Sequence, residues 1–472
     1  MNAIVSFLPI LTISIGSLIY LVSGKLLERT RLVSLVAVGL ITAAMVLLGW
    51  IPDTIRESEY GLIVNDFSRF VGLLACGGGL ISLIATRAAV SDEKIEMLNE
   101  YYFLLLTALS GALVMIFASD YLTLFIGVEV SSLALYCLCG ARVDRATSSE
   151  ASLKYFLLGC FSSAFLLLGI ALWYGATGSL SLVAETSGAF TTTMVFISLL
   201  LMLVGIGFKV GLAPFHLWVP DVYQGAPTSV TTFMSCVVKV AAIAALLKVL
   251  FLGFLFPQGW SLSALWVMAV LAMTLGNLAA LQQRSVKRML AYSSVAQAGY
   301  MLVGIVSTQY PGEGIAATLY YLTSYCAMTI GAFAVLAAIG PDADDISDLR
   351  GLSKRSPFLT ICMTLIFLGL AGLPPSLAGL MGKIFIFSEA IQSELYGLAI
   401  IGVLNSALAC AYYFRVPVAM LFQSGTTTER IRISPFTAAA IGVCAAAVVL
   451  LGIFVTPALD LARDAALSLL TS

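Results

Sequence analysis

The sequence predicts an all-α, polytopic membrane protein with about fourteen transmembrane helices, and three observations carry that expectation. Of the 472 residues, 60% are hydrophobic and only 10% charged, with a mean hydropathy of +1.03. Apolar runs long enough to cross a bilayer, about 20 residues each, recur from one end of the chain to the other. The basic residues between those runs collect in alternate gaps, as the positive-inside rule expects of loops on one side of a membrane. A soluble domain carries about 25% charged residues, so this chain is too poor in charge to cover a water-facing surface. The net charge of −1 offers no basic face, and no nucleic-acid partner is expected.

In chain order, the first run, 4–22, has no basic region ahead of it and no Ala-x-Ala site after it, so it reads as a retained span and not a signal peptide. The runs 32–50, 67–86 and 101–118 follow, and only Ser119 and Asp120 separate the last from 121–139. Then come 153–174, 192–221, 228–253, 262–281, 289–306, 315–339, 358–386, 395–420 and 434–456. With the N-terminus outside, the cytoplasmic loops hold Lys25, Arg29 and Arg31; Arg87 and Lys94; Arg142 and Arg145; Arg284, Lys287 and Arg288; Arg350, Lys354 and Arg355; Arg415, Arg430 and Arg432. The opposite loops hold only Arg56 and Arg463. This asymmetry puts both termini on the periplasmic side of a bacterial plasma membrane.

The same division suggests four segments: 1–100 with spans 1–3, 101–253 with spans 4–8, 262–420 with spans 9–13, and 421–472 with span 14 and a tail. Two five-helix units, each with an odd number of crossings, would have inverted topology. Spans 7 and 12 are the fourth helices of their units, and both are longer than one crossing needs. Gly211 and Pro214 interrupt the first, and Gly372, Pro374, Pro375 and Gly379 interrupt the second. Proline removes a donor and clashes with the preceding turn. Paired breaks of this kind mark a transport path between inverted repeats. A lysine accompanies each break, Lys209 and Lys383, in what the sequence presents as matched positions.

An ionisable group in hydrocarbon faces a bundle interior, pairs, or lines an ion path. Glu129, midway along the fifth span, is the one carboxylate the sequence places deep in a helix. It is either half of a static ion pair or a charge carrier. Lys154, Lys209, Lys239 and Lys383 join it in a row without arginine, and lysine suits such a role because it can give up its proton where arginine cannot. Lys248, near the external end of its helix, could snorkel. Arg69 has Asp66 beside it for an interfacial pair. His216, just beyond Pro214, could relay protons or hydrogen-bond a carbonyl freed by the break. Tyr292, Ser293, Ser294, Gln297 and Tyr300 form a polar stripe that could order water or join helices. The nine cysteines lie in apolar runs and read as small buried hydrophobes. A single histidine leaves no histidine-rich metal site.

The segment Phe208–Thr228, with Lys209, Pro214-Phe215-His216-Leu217-Trp218 and Pro220-Asp221-Val222-Tyr223-Gln224-Gly225-Ala226-Pro227, resembles the subunit N family of bacterial NADH-quinone oxidoreductase (respiratory complex I). So do Arg284-Ser285-Val286-Lys287-Arg288-Met289-Leu290-Ala291-Tyr292-Ser293-Ser294 and the glycine- and proline-rich run that ends at Lys383. The resemblance covers nearly the whole chain. It implies an essential fifth-helix glutamate at Glu129, a seventh-helix lysine at Lys209 modulated by Lys154, a connecting lysine at Lys239, and a twelfth-helix lysine near the exit at Lys383. It further implies a translocase subunit that moves protons while other subunits oxidise NADH and reduce quinone. Neither a redox centre nor any other cofactor would then be bound by this chain. Its partners would be the antiporter-like and small membrane-arm subunits of the complex, together with membrane lipid. Related sodium/proton antiporters and complexes with other electron donors are the alternatives. Gln297 departs from the family pattern, which often has histidine near that position, and glutamine cannot titrate.

Overall fold

A computed structural model of the chain describes residues 2–27, 32–51, 61–93, 95, 97–183, 193–254, 260–308, 312–341, 343–425 and 429–471. Arg29, Arg31, Arg56 and Lys94 lie outside the described residues. Within them the fold is all helical, and the extended pairings are three isolated bridges between loops.

The first three spans are α1 (Asn2–Leu27), α2 (Leu32–Trp50) and α3 (Asp66–Asp92). The first five-helix unit follows as α4 (Leu98–Phe117), α5 (Tyr121–Cys139), α6 (Ala146–Thr177), a broken span made of α7 (Thr193–Val210) and α8 (Trp218–Gly225), and a fifth crossing over Thr228–Gly253. That fifth crossing is α9 (Thr228–Phe233), a π-helical turn at Met234–Val238, α10 (Lys239–Lys248) and a second π-helical turn at Val249–Gly253. The second unit comprises α11 (Trp260–Leu281), α12 (Val286–Val306), α13 (Glu313–Ile339), a broken span of α15 (Pro357–Ala371) and α16 (Leu377–Gln392), and α17 (Tyr396–Phe422). A short helix α14 (Leu352–Arg355) precedes the broken span, and α18 (Pro435–Ile453) and α19 (Val455–Leu470) end the chain.

Among the described residues, twelve helices are long and apolar enough to cross a membrane, and Phe7–Val22 and Pro357–Ala371 are shorter apolar helices. These account for the fourteen expected spans, because α15 is the first half of the broken twelfth. Local sequence explains where the helices start. Asp120 accepts from Thr123 N at 2.7 Å to cap α5, and Ser285 accepts from Arg288 N at 3.1 Å to cap α12. Ser356 and Ser434 cap α15 and α18 ahead of Pro357 and Pro435. Such side chains satisfy amides that have no partner inside the helix.

Burial separates a central row from a periphery. The apolar window of Thr228–Gly253 is 100% buried and that of α12 94%, whereas α2, α6, α17 and α18 bury only 33–39%. The outer face of α6 exposes Leu153, Phe156, Leu157, Phe161 and Phe165. An apolar face of that extent belongs against lipid or a neighbouring subunit, not water. The loops sort into two groups. On one face Glu93 reaches Thr228 and Ser229, Gln224 reaches Asp344, and Ser285 pairs with Asp345. On the other, Leu62 pairs with Ala118, Asp120 with Ser181, and Arg463 with Glu313.

Three expectations need correction. The segment after span 14 is no tail: α19 is amphipathic, lays Ala462, Ala465, Ala466 and Leu469 inward, and packs on α3 and α13. Its spacing of three and four is the ordinary helical signature. Lys248 does not snorkel; it is buried and donates to the carbonyls of Ile116 and Ala118, capping the C-terminus of α4. Glu93, just beyond the end of α3, is a further buried carboxylate: it is 1% exposed and accepts from Thr228 N and Ser229 N at the start of α9. A carboxylate at a helix N-terminus meets both free amides and the positive end of the dipole. Finally, Cys137 and Cys160 are exposed on outer helix faces, so the nine free cysteines are not uniformly buried.

Candidate functional site

The fifth helix supplies the first part of the site. Glu129, Ser132 and Tyr136 are spaced by three and four residues along α5 and therefore lie on adjoining turns of one side. The Lys209 ammonium, at the end of α7, donates to Ser132 Oγ at 2.6 Å and Tyr136 Oη at 3.2 Å. It also lies 5.3, 5.6 and 5.4 Å from the ring centroids of Tyr136, Tyr155 and Phe208. Ser132 gives its own proton to the carbonyl of Val128, which leaves its oxygen to accept from the lysine. Glu129 is half-buried and accepts from Ser163 of α6. Among the described residues no carboxylate lies within ion-pair distance of Lys209.

Two residues further on, α7 ends at Gly211 with φ +80°, whose N–H bonds to the carbonyls of Gly207 and Phe208. The break leaves Phe208 O to accept a further bond from Trp218 Nε1 at 2.9 Å. His216 falls in this break and is 8% exposed, and its Nδ1 is buried without a hydrogen-bond partner. It thus makes no bond to a freed carbonyl through that nitrogen.

Lys239 is the first residue of α10, directly after a π-helical turn, a device that often re-aims side chains at functional positions. Its ammonium donates to the Ser294 carbonyl at 2.7 Å and to Ser294 Oγ at 2.5 Å, and it stands 5.0 Å from the Tyr325 ring centroid. A small cavity of about 10 Å³ is bordered by Lys209, Trp218, Tyr223, Lys239 and Ser294. That is about the least space a water molecule needs, so the two lysines share room for a bridge.

The polar stripe of α12 carries the connection onward through direct helix-to-helix bonds. Ser293 and Tyr413 share a hydroxyl hydrogen bond, Gln297 Nε2 donates to Tyr413 Oη at 3.0 Å, and Tyr321 donates to Gln297 Oε1. Tyr300 accepts from Asn277 at 3.2 Å. Gln297 Nε2 also reaches the Leu370 carbonyl at 3.4 Å. Lys383 donates to that same carbonyl and to Ala371 O, each at 3.2 Å, and to Ser406 Oγ at 3.0 Å. From Lys239 to Lys383 the route therefore runs along neighbouring residues of α12 that bond to α15 and α17.

Lys154 stands apart from this row. Its side chain is 42% exposed and pairs with Glu150 and Asp221 at 2.7 Å each, and Asp221 takes Arg288 at 2.7 Å from its other oxygen. These groups line an open pocket on one membrane face and make no contact with Lys209. The structure therefore brings Lys209, Lys239 and Lys383 into one buried row, leaves Glu129 one side chain away through α5, and puts Lys154 at a vestibule. Sequence reading missed Ser132, Tyr136, Ser163, Trp218, Ser406 and Tyr413. Helical spacing from Glu129 would have found the first two, and Trp218 stands just across the break from Lys209; Ser163, Ser406 and Tyr413 come from other helices.

The comparisons with known proteins agree with this geometry. Residues 118–409 match the transmembrane family described as NADH:quinone oxidoreductase/Mrp antiporter. A relative in Trichlorobacter lovleyi, NADH-quinone oxidoreductase subunit N, is 43% identical over 80% of this chain and 78% of its own length. A chain of respiratory complex I from Thermus thermophilus with bound aureothin superposes with a TM-score of 0.85 at 34% identity, covering 97% of this chain and 99% of that one. A chain of an archaeal membrane-bound sulfane sulfur reductase gives 0.88 at 25% identity, with 99% and 98% covered.

Proposed function

The chain belongs to the family of NADH-quinone oxidoreductase subunit N, and from that premise we propose that its buried lysine row carries the proton translocation of the membrane arm. It is a multi-pass membrane subunit of an NADH-quinone oxidoreductase. The observation that carries the proposal is that Lys209, Lys239 and Lys383 are each 3–5% exposed, have no carboxylate partner among the described residues, and are joined by hydroxyls, an amide and a water-sized cavity. A buried cation with no counterion is costly to keep for stability alone, whereas a lysine that exchanges its proton needs flexible neighbours of this kind.

In this reading Glu129 is the charge that governs Lys209. It is anchored by Ser163 on the side of α6, and a change in its distance or protonation alters how firmly Lys209 holds its proton. Release from Lys209 crosses the small cavity to Lys239, and Ser293, Gln297 and Tyr413 connect Lys239 with Lys383. Gln297 cannot titrate, so it orders the route instead of storing a proton. Lys154, paired with Asp221 and Glu150, biases the entry by its charge and is not a link in the row. The basic-rich face is cytoplasmic by the positive-inside rule, which places both termini in the periplasm. Electron transfer belongs to partner subunits, because this chain offers no cysteine cluster or dinucleotide fingerprint.

The test replaces Lys209 by methionine in the native host and reconstitutes the purified complex in vesicles. Quinone reduction and proton uptake should fall together, by tenfold or more, in an assembled complex. Unchanged protons per electron would remove Lys209 from the path. Purification without NADH-oxidising partners would favour an antiporter or another donor-linked complex.

A further inference from the structure

We infer that the pocket beside Lys154 is a binding site for a phosphate-bearing anion. The pocket has a volume of about 530 Å³ and opens between the start of α6, the end of α8, the start of α12 and the loop that carries Asp344. That volume lies within the range of small-molecule sites, roughly 300–1,000 Å³. Five cations and three carboxylates border it, and the carboxylates are already occupied. Asp221 takes Lys154 and Arg288, and Glu150 takes Lys154. Asp344 accepts from Ser285 Oγ at 2.5 Å, Gln224 Nε2 at 2.9 Å and the backbone N–H of Lys287 at 3.3 Å.

Two cations of the lining are left over. Lys287 is 5% exposed, and among the described residues its ammonium has no hydrogen bond and no ion pair, although the carboxylates of Asp344 and Glu93 lie near enough to act on it through space. Arg142 is 7% exposed, its Nε is buried without a hydrogen-bond partner, and among the described residues its one ion pair is a long 3.8 Å contact to the exposed Asp144. Burying a guanidinium and an ammonium together, each short of partners, is unfavourable unless something anionic joins them. A guanidinium offers a planar fork that fits phosphate oxygens two at a time, and an ammonium adds a point charge. The pocket lies on the face whose loops carry most of the basic residues, where anionic lipid headgroups are attracted. The bound group is therefore a phosphate, supplied either by a lipid headgroup or by a soluble anion. Its seat adjoins the Lys154–Asp221–Arg288 chain, so its charge acts at the vestibule whether or not the lysine row pumps.

The assembled complex, stripped of lipid in detergent, would be titrated in parallel with dioctanoyl phosphatidic acid and with inorganic phosphate, reading heat of binding. At least one probe should bind, and binding should weaken tenfold or more in both Arg142→Gln and Lys287→Met. Lys354→Gln, an exposed basic residue outside the pocket, should leave it unchanged. Thr147→Glu keeps both buried cations and brings a carboxylate into the mouth of the pocket; it should weaken binding equally and serves if either cation variant fails to assemble. Binding of the lipid alone assigns the headgroup, and binding of both probes assigns a site for soluble phosphate as well. If neither probe binds, or if binding survives in Thr147→Glu and whichever cation variants assemble, the inference falls.

Discussion

At the first break the chain leaves α7 through Gly211, and at the second it leaves α15 through Gly372, and the two exits have the same backbone form. Both glycines have φ +80°. Each N–H bonds back to two carbonyls, and the next residue, Leu212 or Leu373, bonds to Gly207 or Leu368 at 2.8 and 2.9 Å. This is the Schellman arrangement, which ends a helix while satisfying some of its last carbonyls. The lysines, which the sequence presents as matched, lie on opposite sides of their breaks. Lys209 precedes Gly211 and turns to hydroxyls on α5, while the indole of Trp218 takes the carbonyl of Phe208. Lys383 follows its break and reaches back to the carbonyls of Leu370 and Ala371. A cation at a helix C-terminus gains from the dipole as well as from the bonds. One lysine is thus fixed by backbone that cannot rotate away, and the other is held by side chains that can.

The largest effect that could break this contrast is on stability. Lys383→Met strips the charged donor from two buried carbonyls; Leu370 O keeps the longer bond from Gln297 and Ala371 O only a thiol contact from Cys410, so the loss is about 1–3 kcal/mol in all. The complex carrying it should dissociate at a clearly lower temperature than wild type in a thermal gel-filtration series. Lys209→Met should stay within about 1 kcal/mol of wild type, because Ser132 keeps its bond to Val128 and loses only a donor to its oxygen. Equal destabilisation by the two variants would mean that the breaks use their lysines alike.

Trp218→Phe tests the neutral cap at the first break. The carbonyl of Phe208 would lose its indole donor but keep the Gly211 N–H at 3.1 Å, a net cost of about 0.5–1.5 kcal/mol and smaller than that expected for Lys383→Met. The ring stacking of Trp218 on Tyr155, with centroids 4.4 Å apart, should survive in part. Thermal dissociation checks the size of the loss. A Trp218→Phe complex as stable as wild type would show that the indole bond is incidental.

How far the sequence anticipated these features depends on what each one rests on. The spans follow from hydropathy, which a single chain displays in full. Both breaks were legible because glycine and proline act locally, and so were Lys209, Lys239 and Lys383, whose charge stands out in apolar runs. Which groups meet them was largely not legible: Ser294 stands out in the polar stripe of α12, but Ser132 and Ser406 are ordinary residues until other helices bring them to Lys209 and Lys383. Glu93 is inconspicuous for a related reason: it sits in the polar stretch Ser91-Asp92-Glu93, which reads as a solvated loop, yet its side chain caps α9. Amphipathic α19 does not stand out because it is too polar to count as a span.

A smaller effect should come from Ser132→Ala. Lys209 would lose its shorter bond and keep Tyr136 Oη at 3.2 Å. A hydrogen bond to a charged group is worth roughly 1.5–3 kcal/mol, and the remaining hydroxyl and the rings offset part of it. Proton-coupled quinone reduction should therefore fall by only a few-fold, about 1 kcal/mol in the barrier. A loss as large as that of Lys209→Met would show that the serine hydroxyl is itself a carrier, and the first site would then be less adjustable than its partners imply.

The smallest effect is expected at His216. It lies in the first break, and the second break has proline and serine in the corresponding stretch, Pro374-Pro375-Ser376, with no titratable group. If the two breaks work by backbone geometry, the imidazole is dispensable. Its Nδ1 is buried without a partner, and an unsatisfied polar atom costs about 1–3 kcal/mol, so His216→Phe removes that burden while filling a similar space. Turnover should stay within about twofold, less than 0.5 kcal/mol in the barrier, and its pH profile between about 6 and 8, where histidine titrates, should keep its shape. The measurement is quinone reduction across that range in the reconstituted variant. A tenfold fall, or a profile that loses an inflection near neutrality, would make His216 a relay and give the first break a proton carrier that the second lacks.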